Sequence, residues 1–314
     1  MRSPADLITT DIELALERLR AGGLVAIPTE TVYGLAADAE RSEAVSRIFA
    51  IKGRPTSHPL IVHVADQDHL DGWVESISDH ARALAEVCWP GPLTMVLPRG
   101  RRVLDDVTGG RASVGVRVPS HPSTLELLTR FGGGVAAPSA NRFGKVSPTT
   151  AQHVLDDLGA LLDPLRDVIL DGGACPVGVE STIIDLTVTP PQLLRAGAIT
   201  ADDVARILEI AIDKATGQSR ASGMLASHYA PECSVLLVDD IARATEVLDQ
   251  RSADGQRVRI LDRTNDLVVA ARELYNDLRE ADRAGLGALI VVMPPAAGIG
   301  YALRDRLTKA AAGG

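Results

Sequence analysis

The spacing of apolar and polar residues predicts two regions with different organisation. In the first, residues 11–20 carry Ile12, Leu16 and Leu19 on one helical face and are followed by Gly22, which predicts a capped helix. Short apolar runs typical of buried strands come next, near 24–28, 60–64, 93–97, 112–118, 135–138, 167–171 and 181–187. Strands and helices do not alternate strictly here, so we expect a twisted, mixed α/β sheet folded around a cavity.

The second region, from residue 233 onward, alternates regularly between strand and helix patterns. Strands are predicted at 234–238, 258–261 and 288–293, and helices at 241–250, 266–284 and from about 301. Three β-α units of this kind predict a small, open, parallel Rossmann-like sheet. Polar residues dominate 212–231, so the predicted domains are 1–211 and 233–314, joined by a linker at 212–232.

Hydroxyl and amide side chains follow the predicted strand at 135–137. The glycine-rich segment 132–150 continues into Ser139 and Asn141, and Ser147 is the predicted cap of the next helix, with Pro148 at its first position. Helix N-terminal N–H groups and hydroxyls together favour an anion site. An ordinary turn between a buried strand and a capped helix is the alternative.

Two further segments contain cationic residues that could bind an anionic ligand. Lys52 and Arg54 flank Gly53 in a predicted turn, where they can straddle a polyphosphate, lysine as a point charge and arginine as a fork. Arg117 lies between two valines of a predicted strand. It therefore faces either solvent or a polar pocket.

Eight separated segments, in the same order, resemble the YrdC family of threonylcarbamoyl-AMP synthases in its long form. They span residues 24–231 and read PTETVYGLAADA, KGRPTSHPLIVHV, WPGPLTMVL, VGVRVPSHP, APSANRFGKVSPT, VGVESTIIDLT, LLRAGAIT and GMLASHYAP. The resemblance implies a YrdC-like catalytic domain around a concave active site, a linker that forms a lid, and the additional C-terminal domain. It also implies condensation of L-threonine, bicarbonate and ATP to threonylcarbamoyl-AMP and pyrophosphate, for the N6-threonylcarbamoyladenosine modification of tRNA.

The resemblance implies two groups of site residues. The catalytic residues would be Lys52 and Arg54, which also belong to an ATP site comprising Lys52, Arg54, His58, Ser113, Ser139, Asn141, Ser147, Arg195, His228 and Tyr229. Threonine would be enclosed by Thr31, His63, Arg117, Ala137 and Ser181. Arg117 would pair with the threonine carboxylate, because a guanidinium fork suits that group.

Structural roles remain the alternatives for several of these residues, and two positions depart from the family pattern. Thr31 and Ser181 could serve as caps or turn bonds, and His63 could be a satisfied strand histidine. His58 replaces the more usual Asn, although a neutral imidazole also offers a donor and an acceptor. Ser222 replaces a usual Pro in the linker.

Mg²⁺, bound with ATP, is the expected cofactor, and its ligands are left open. Expected partners are L-threonine, bicarbonate, ATP and the downstream tRNA threonylcarbamoyl transferase, with any tRNA contact weak or indirect. The rival hypothesis is an RNA-binding module, whose basic face would draw on Lys52, Arg54, Arg99, Arg101, Arg102, Arg111, Arg117, Arg142 and Lys145. A net charge of −9 and an aromatic content of 3% disfavour that rival.

A third hypothesis keeps the fold and places the chain with carbamoyl-transfer domains of hydrogenase maturation proteins. The three cysteines show no C-x-x-C spacing, so the zinc modules of those proteins are not expected. Unpaired cysteines fit a reducing compartment, and a cytoplasmic location is expected. The sequence has no apolar run long enough to predict a membrane span.

Overall fold

The computed structural model describes residues 4–215 and 229–313. Eleven of the strands in these ranges form one mixed sheet. In chain order they are β1 (Ile8–Thr9), β2 (Val25–Ile27), β3 (Gly34–Asp38), β4 (Ile61–His63), β5 (Leu93–Pro98), β6 (Ser113–Arg117), β7 (Val135–Ala136), β8 (Val168–Leu170), β9 (Thr182–Asp185), β10 (Gln192–Arg195) and β11 (Asp213–Lys214).

Seven α-helices accompany this sheet. They are α1 (Ile12–Arg20), α2 (Ser42–Lys52), α3 (Asp79–Cys88), α4 (Asp105–Thr108), α5 (Pro122–Phe131), α6 (Ala151–Leu158) and α7 (Ala201–Leu208), and two 3₁₀ turns lie at Pro4–Leu7 and Gln67–Leu70. The strand order is β1-β8-β2-β3-β7-β4-β6-β5-β9-β10-β11, with parallel and antiparallel neighbours. This arrangement confirms the predicted twisted, mixed sheet.

Local sequence accounts for the ends of several helices and corrects one prediction. Asp11 caps α1 by accepting from the backbone N–H groups of Glu13 and Leu14, as its position predicts. The predicted cap Ser147 is wrong, because α6 begins at Ala151 and is capped by Thr150. The Ser147 hydroxyl instead donates to a carboxylate distant in the sequence, described below.

The second sheet contains three parallel strands. The order along the chain is β12 (Ser234–Val238), α8 (Ile241–Ala253), β13 (Val258–Leu261), α9 (Leu267–Arg283), β14 (Ala288–Val292) and α10 (Gly300–Ala311), with β14 in the middle of the sheet. The apolar face of α9 packs as its spacing predicts, since Ala271, Leu274 and Leu278 are buried. The predicted Rossmann-like unit is therefore confirmed.

The C-terminal unit packs against the loops at one side of the large sheet. Arg279 of α9 forms two hydrogen bonds to Asp157 of α6, at 2.6 and 2.9 Å, and Arg283 contacts Asp156 at 3.1 Å. An ideal Cβ on Gly178 would lie 2.4 Å from the carbonyl oxygen of Ala271, so the backbones of the two units meet closely. Apolar residues from both units join in one buried cluster.

Two other expectations concern the chain as a whole. The predicted domain limits and linker stay a prediction, since 216–228 lies outside the described residues. Among the helices within 4–215 and 229–313, none combines the length and apolar character needed to cross a lipid bilayer.

Candidate active site

A cleft lies beside β4 and β6 and the segments that follow β2 and β7, and most of the residues that line it are polar or small. Its empty volume is about 540 Å³, part of which is open to solvent. The lining residues are Thr29, Thr31, Val32, Gly34, Arg54, Ile61, His63, Arg117, Ala137, Pro138, Ser139, Glu180, Arg195 and Tyr229. Eight of the residues predicted from sequence to bind ATP or threonine are in this set.

Four of the five residues predicted to enclose threonine lie together in the cleft. His63 on β4 is the register partner of Arg117 on β6, and the backbone N–H of Ala137 donates to the carbonyl of Ile61 beside it. Thr31 accepts a hydrogen bond of 2.9 Å from Nη2 of Arg117. The sheet register therefore gathers these side chains from four separate chain segments.

His63 is a neutral imidazole in this environment. Burial and the nearby Arg117 lower its pKa to about 3. Its Nδ1 lies 3.3 Å from the carbonyl oxygen of Ile61, and a neutral ring that donates there leaves Nε2 as an acceptor. His63 therefore offers the cleft a hydrogen-bond acceptor without charge.

A carboxylate that we did not single out from sequence lies behind Arg117. Glu30 is 5% exposed, and its Oε1 accepts from Nη2 of Arg117 at 2.7 Å. Burial alone would raise the pKa of Glu30, but the charge of Arg117 and the hydrogen bonds from Arg117 and Ser120 together outweigh burial, so the pKa lies below its ordinary value. The charge of Arg117 is thus already compensated in part. The only sign of Glu30 in the sequence was an acidic residue between the two threonines of the PTET segment.

The two predicted catalytic cations occupy different positions. Arg54 lines the cleft and donates to the carbonyl of Pro59 at 3.0 Å, and burial together with Arg195 lowers its pKa to about 10. Lys52 is 2% exposed and is not among the residues lining the cleft. Its ammonium donates to the backbone carbonyls of Ser139 and Asn141. Lys52 therefore supports the polar loop that follows β7.

This polar loop, residues 139–147, forms one wall of the cleft region. Ser139 faces the cleft, whereas the buried Asn141 donates from Nδ2 to the carbonyls of Arg142 and Lys145. The backbone N–H of Ala230 donates to the carbonyl of Gly144 at 3.0 Å. The segment at Ala230 therefore pairs with this loop.

The remaining predicted residues divide between the cleft and its surroundings. Arg195 and Tyr229 line the cleft. Ser181 lies behind Arg195, whose Nη2 donates to the serine hydroxyl at 3.0 Å. His58 packs edge-on against Phe143 at 5.4 Å outside the lining set.

Ser113 and His228 are also predicted to belong to the ATP site. Ser113 is half-buried at the start of β6, on the same face of the strand as Arg117, and is not a lining residue. His228 lies outside the described residues.

The basic residues considered for an RNA-binding face are largely buried or paired. Lys52, Arg54 and Arg117 are each less than 9% exposed. Three others form ion pairs with nearby carboxylates, namely Arg99 with Asp105, Arg101 with Asp71 and Arg102 with Glu40. Buried and neutralised cations contribute little to backbone recognition of a nucleic acid. These residues therefore do not all contribute to one exposed basic face.

The electrostatics of the cleft favour a small polyanion together with a zwitterion. Three guanidinium groups, from Arg54, Arg117 and Arg195, reach it from different elements. Hydroxyls and backbone groups supply further polar contacts without charge. Within 4–215 and 229–313, no group of three or more His, Cys, Asp or Glu side chains is arranged to hold a metal ion.

Comparison with known protein families shows which family the chain belongs to. The profile of the Sua5/YciO/YrdC family, described as telomere recombination, matches residues 17–197. The chain belongs to the Sua5/YciO/YrdC family. A second profile, described as the threonylcarbamoyl-AMP synthase C-terminal domain, matches residues 199–312, so this member of the family carries the additional domain. The resemblance stated from the sequence motifs is confirmed.

Full-length relatives have both regions in the same order. The threonylcarbamoyl-AMP synthase of Pyrococcus abyssi is 39% identical over 323 residues, covering 95% of this chain and 93% of the relative. That of Bacillus subtilis is 36% identical over 334 residues, covering 98% and 95%. The crystal structure of P. abyssi Sua5 complexed with L-threonine matches with a TM-score of 0.90 at 38% identity, covering 96% of this chain and 94% of that one.

Proposed function

We propose that this chain is an L-threonylcarbamoyladenylate synthase that condenses L-threonine, bicarbonate and ATP. The observation that carries the proposal is the convergence of three arginines and a hydroxyl-lined pocket in a single cleft. Relatives named threonylcarbamoyl-AMP synthase at 36–39% identity support this enzyme and not the RNA-binding alternative. The relative crystallised with L-threonine supports threonine as the amino-acid substrate.

The threonine half of the cleft suits an amino acid with a small polar side chain. The guanidinium of Arg117 would bind the substrate carboxylate, since two of its nitrogens already contact Glu30, Thr31 and the carbonyl of Gly91, and a third remains. Nε2 of the neutral His63 would accept a hydrogen bond from the substrate amine. Proximity of these groups holds the amine in one orientation for reaction.

The chemistry needs two bond-forming steps and no enzyme nucleophile. The threonine nitrogen forms a bond to the bicarbonate carbon, and water leaves, which yields a carbamate. A carbamate oxygen then forms a bond to the α-phosphorus of ATP as the bond from that phosphorus to the pyrophosphate oxygen breaks. Charge on the transferring group and on the leaving pyrophosphate must be stabilised, which preorganised cations in a buried site do well.

The ATP half supplies those cations. Arg54 and Arg195 would stabilise phosphate charge, and Lys52 would keep the loop at 139–147 in place while contributing positive potential. We propose that Mg²⁺ arrives with ATP, because magnesium at such sites is held largely by substrate phosphates and water. Bound there, it would neutralise phosphate charge. Delivery of the product to a tRNA threonylcarbamoyl transferase in the cytoplasm completes the proposal.

Pyrophosphate release tests this function directly. The purified chain is incubated with ATP, Mg²⁺ and bicarbonate, and with threonine, serine, valine or no amino acid. We expect release that requires both threonine and bicarbonate, with mass spectrometry detecting threonylcarbamoyl-AMP. No release above the sample without amino acid, combined with salt-sensitive tRNA binding, would favour the RNA-binding alternative.

A further inference from the structure

Glu180 is a buried carboxylate that lines the cleft and is held from the C-terminal domain. It precedes β9 and is 5% exposed. Its Oε2 accepts from the hydroxyl of Tyr275 on α9 at 2.7 Å and from Nε of Arg306 on α10 at 2.8 Å. Its Oε1 accepts from the hydroxyl of Ser147 at 2.6 Å. Both domains therefore meet on this one carboxylate.

The location of this carboxylate poses an electrostatic problem. Burial would raise the pKa of Glu180, but Arg306 and then Arg195 outweigh burial and lower it to about 2. The group is therefore charged at neutral pH. A carboxylate facing bound phosphates would repel them strongly in a buried site unless a cation compensates it.

Arg306 is suited to be that cation. It is 0% exposed, and its other nitrogens donate to the carbonyl of Ala196 at 2.9 Å and to Asp305 at 2.5 Å. Its guanidinium also lies over the ring of Tyr229, 5.2 Å from the ring centre. Arg306 therefore approaches Glu180 from the C-terminal domain and does not itself line the cleft.

Tyr229 connects this cluster to the end of the linker. Its ring stacks on Tyr275 at 5.7 Å, and its backbone has φ of +63°, a left-handed conformation that is uncommon for a bulky residue. Packing between Tyr275 and Arg306 holds it there. Tyr229, which lines the cleft, is thus placed by two side chains of the C-terminal domain.

From these contacts we infer that the C-terminal domain supplies the counter-charge of the ATP half of the cleft, with Arg306 neutralising Glu180. Arg306 and Tyr275 are then positioning residues: they also fix Ser147 and Tyr229 without contacting substrate. Because Ser147 donates its only hydroxyl proton to Glu180, it can offer a nucleotide only acceptor lone pairs. This inference rests on the proposed function in taking ATP as the ligand.

A double-mutant cycle tests the counter-charge. Wild type, Glu180→Gln, Arg306→Met and the double variant are compared by calorimetric ATP titration and by the Michaelis constants for ATP and threonine. We expect Arg306→Met to weaken ATP binding roughly tenfold or more, because an uncompensated buried charge remains. The double variant should recover most of this loss, because it leaves neither Glu180 nor Arg306 as an unpaired buried charge. Glu180→Gln should not weaken ATP binding, because it leaves the positive charge of Arg306 beside the cleft. The Michaelis constant for threonine should change much less than that for ATP.

Two further variants keep the test decisive. Tyr275→Phe serves as a substitute if Arg306→Met does not fold. It keeps the ring stacked on Tyr229 and removes one hydrogen bond to Glu180, so it should weaken ATP binding several-fold. Arg283→Met removes an exposed ion pair between the same two domains and should leave ATP binding unchanged. Equal losses in Arg306→Met and the double variant, or no loss in Arg306→Met and Tyr275→Phe, would overturn the inference. Pyrophosphate release by the wild-type chain tests the proposed function separately. The calorimetric comparison measures ATP binding alone and does not require turnover.

Discussion

Nη2 of Arg117 lies 2.7 Å from Oε1 of Glu30, in a buried ion pair directly behind the pocket around Thr31. The second carboxylate oxygen of Glu30 accepts from the backbone N–H of Ser120 at 3.0 Å, so the carboxylate is fixed by two chain segments. The guanidinium is thereby held in one orientation before any substrate enters. Preorganisation of this kind lowers the cost of binding a zwitterionic amino acid.

Replacing Arg117 should therefore affect threonine more than ATP. We expect Arg117→Lys to raise the Michaelis constant for threonine about tenfold or more, because a single ammonium cannot keep the contacts to Glu30 and Thr31 and also reach the substrate carboxylate as the planar guanidinium does. The constant for ATP should stay within about threefold. Steady-state pyrophosphate release at varied threonine and varied ATP measures both. Arg130→Lys, at exposed ion pairs on α5, is the control, and equal changes in both constants would contradict the assignment.

Replacing Lys52 or Arg54 should have the opposite selectivity. Lys52→Ala removes the ammonium that holds the carbonyls of Ser139 and Asn141, and Arg54→Ala removes a cation from the cleft. We expect each to reduce kcat/KM for ATP at least about a hundredfold, because Arg54 would contact phosphate directly and Lys52 holds the loop at 139–147 that forms the wall of the site. The threonine constant should change little. If both substrates are affected equally, these residues do not form a separate ATP half.

A glycine at the domain boundary should tolerate no side chain. Gly178 has φ of +81°, and a Cβ there would meet backbone atoms of Ala271 and Arg272 at 2.4 Å. Gly173 in the same loop has φ of +83° with nothing within 4 Å of a Cβ. We expect Gly173→Ala to cost about 1–2 kcal/mol of stability from backbone strain alone, and Gly178→Ala clearly more. Urea unfolding of both variants measures this, and equal losses would refute close domain contact at Gly178.

Two buried histidines should make the free energy of unfolding depend on pH. Burial and Arg117 lower the pKa of His63 to about 3, and burial with Arg279 and Arg283 lowers that of His153 to about 4. In the unfolded chain both titrate near about 6.5. Below that pH the unfolded state binds protons that the native state does not. The free energy of unfolding should therefore fall as pH falls, by about 1.4 kcal/mol per pH unit for each histidine.

The measurement is urea unfolding at several pH values between about 7.5 and 5. His153→Gln removes one of the two titrating groups, so its unfolding free energy should fall less steeply with pH than that of wild type, by about one proton. Above pH 7 the two histidines should contribute no slope. A His153→Gln variant with the wild-type slope would show that His153 is accessible to protons in the native state.

Much of the fold could be predicted from local patterns, and the exceptions have local causes. The three β-α units after residue 233 were predicted because each strand and helix has a strong apolar period of its own. Strand β3 was not predicted, because the sequence GLAAD has low intrinsic strand preference and is extended by its neighbours β2 and β7. Ser147 was wrongly predicted as a helix cap, because the neighbouring sequence gives no sign of its hydrogen bond to Glu180, 33 residues away.

By itself, the sequence determined the order of the elements, the family, and the chemistry of the strand ends, because these depend on neighbouring residues and on recognisable segments. The tertiary structure decided which polar groups share a cleft and which charges are compensated. Thr31, His63 and Arg117 meet only because β4 pairs with β6 and the segment after β2 reaches Arg117, and Arg306 reaches Glu180 across 126 residues. Burial and Coulomb interactions depend on distance in space, so no reading of spacing along the chain could assign a counter-charge from α10 to this cleft.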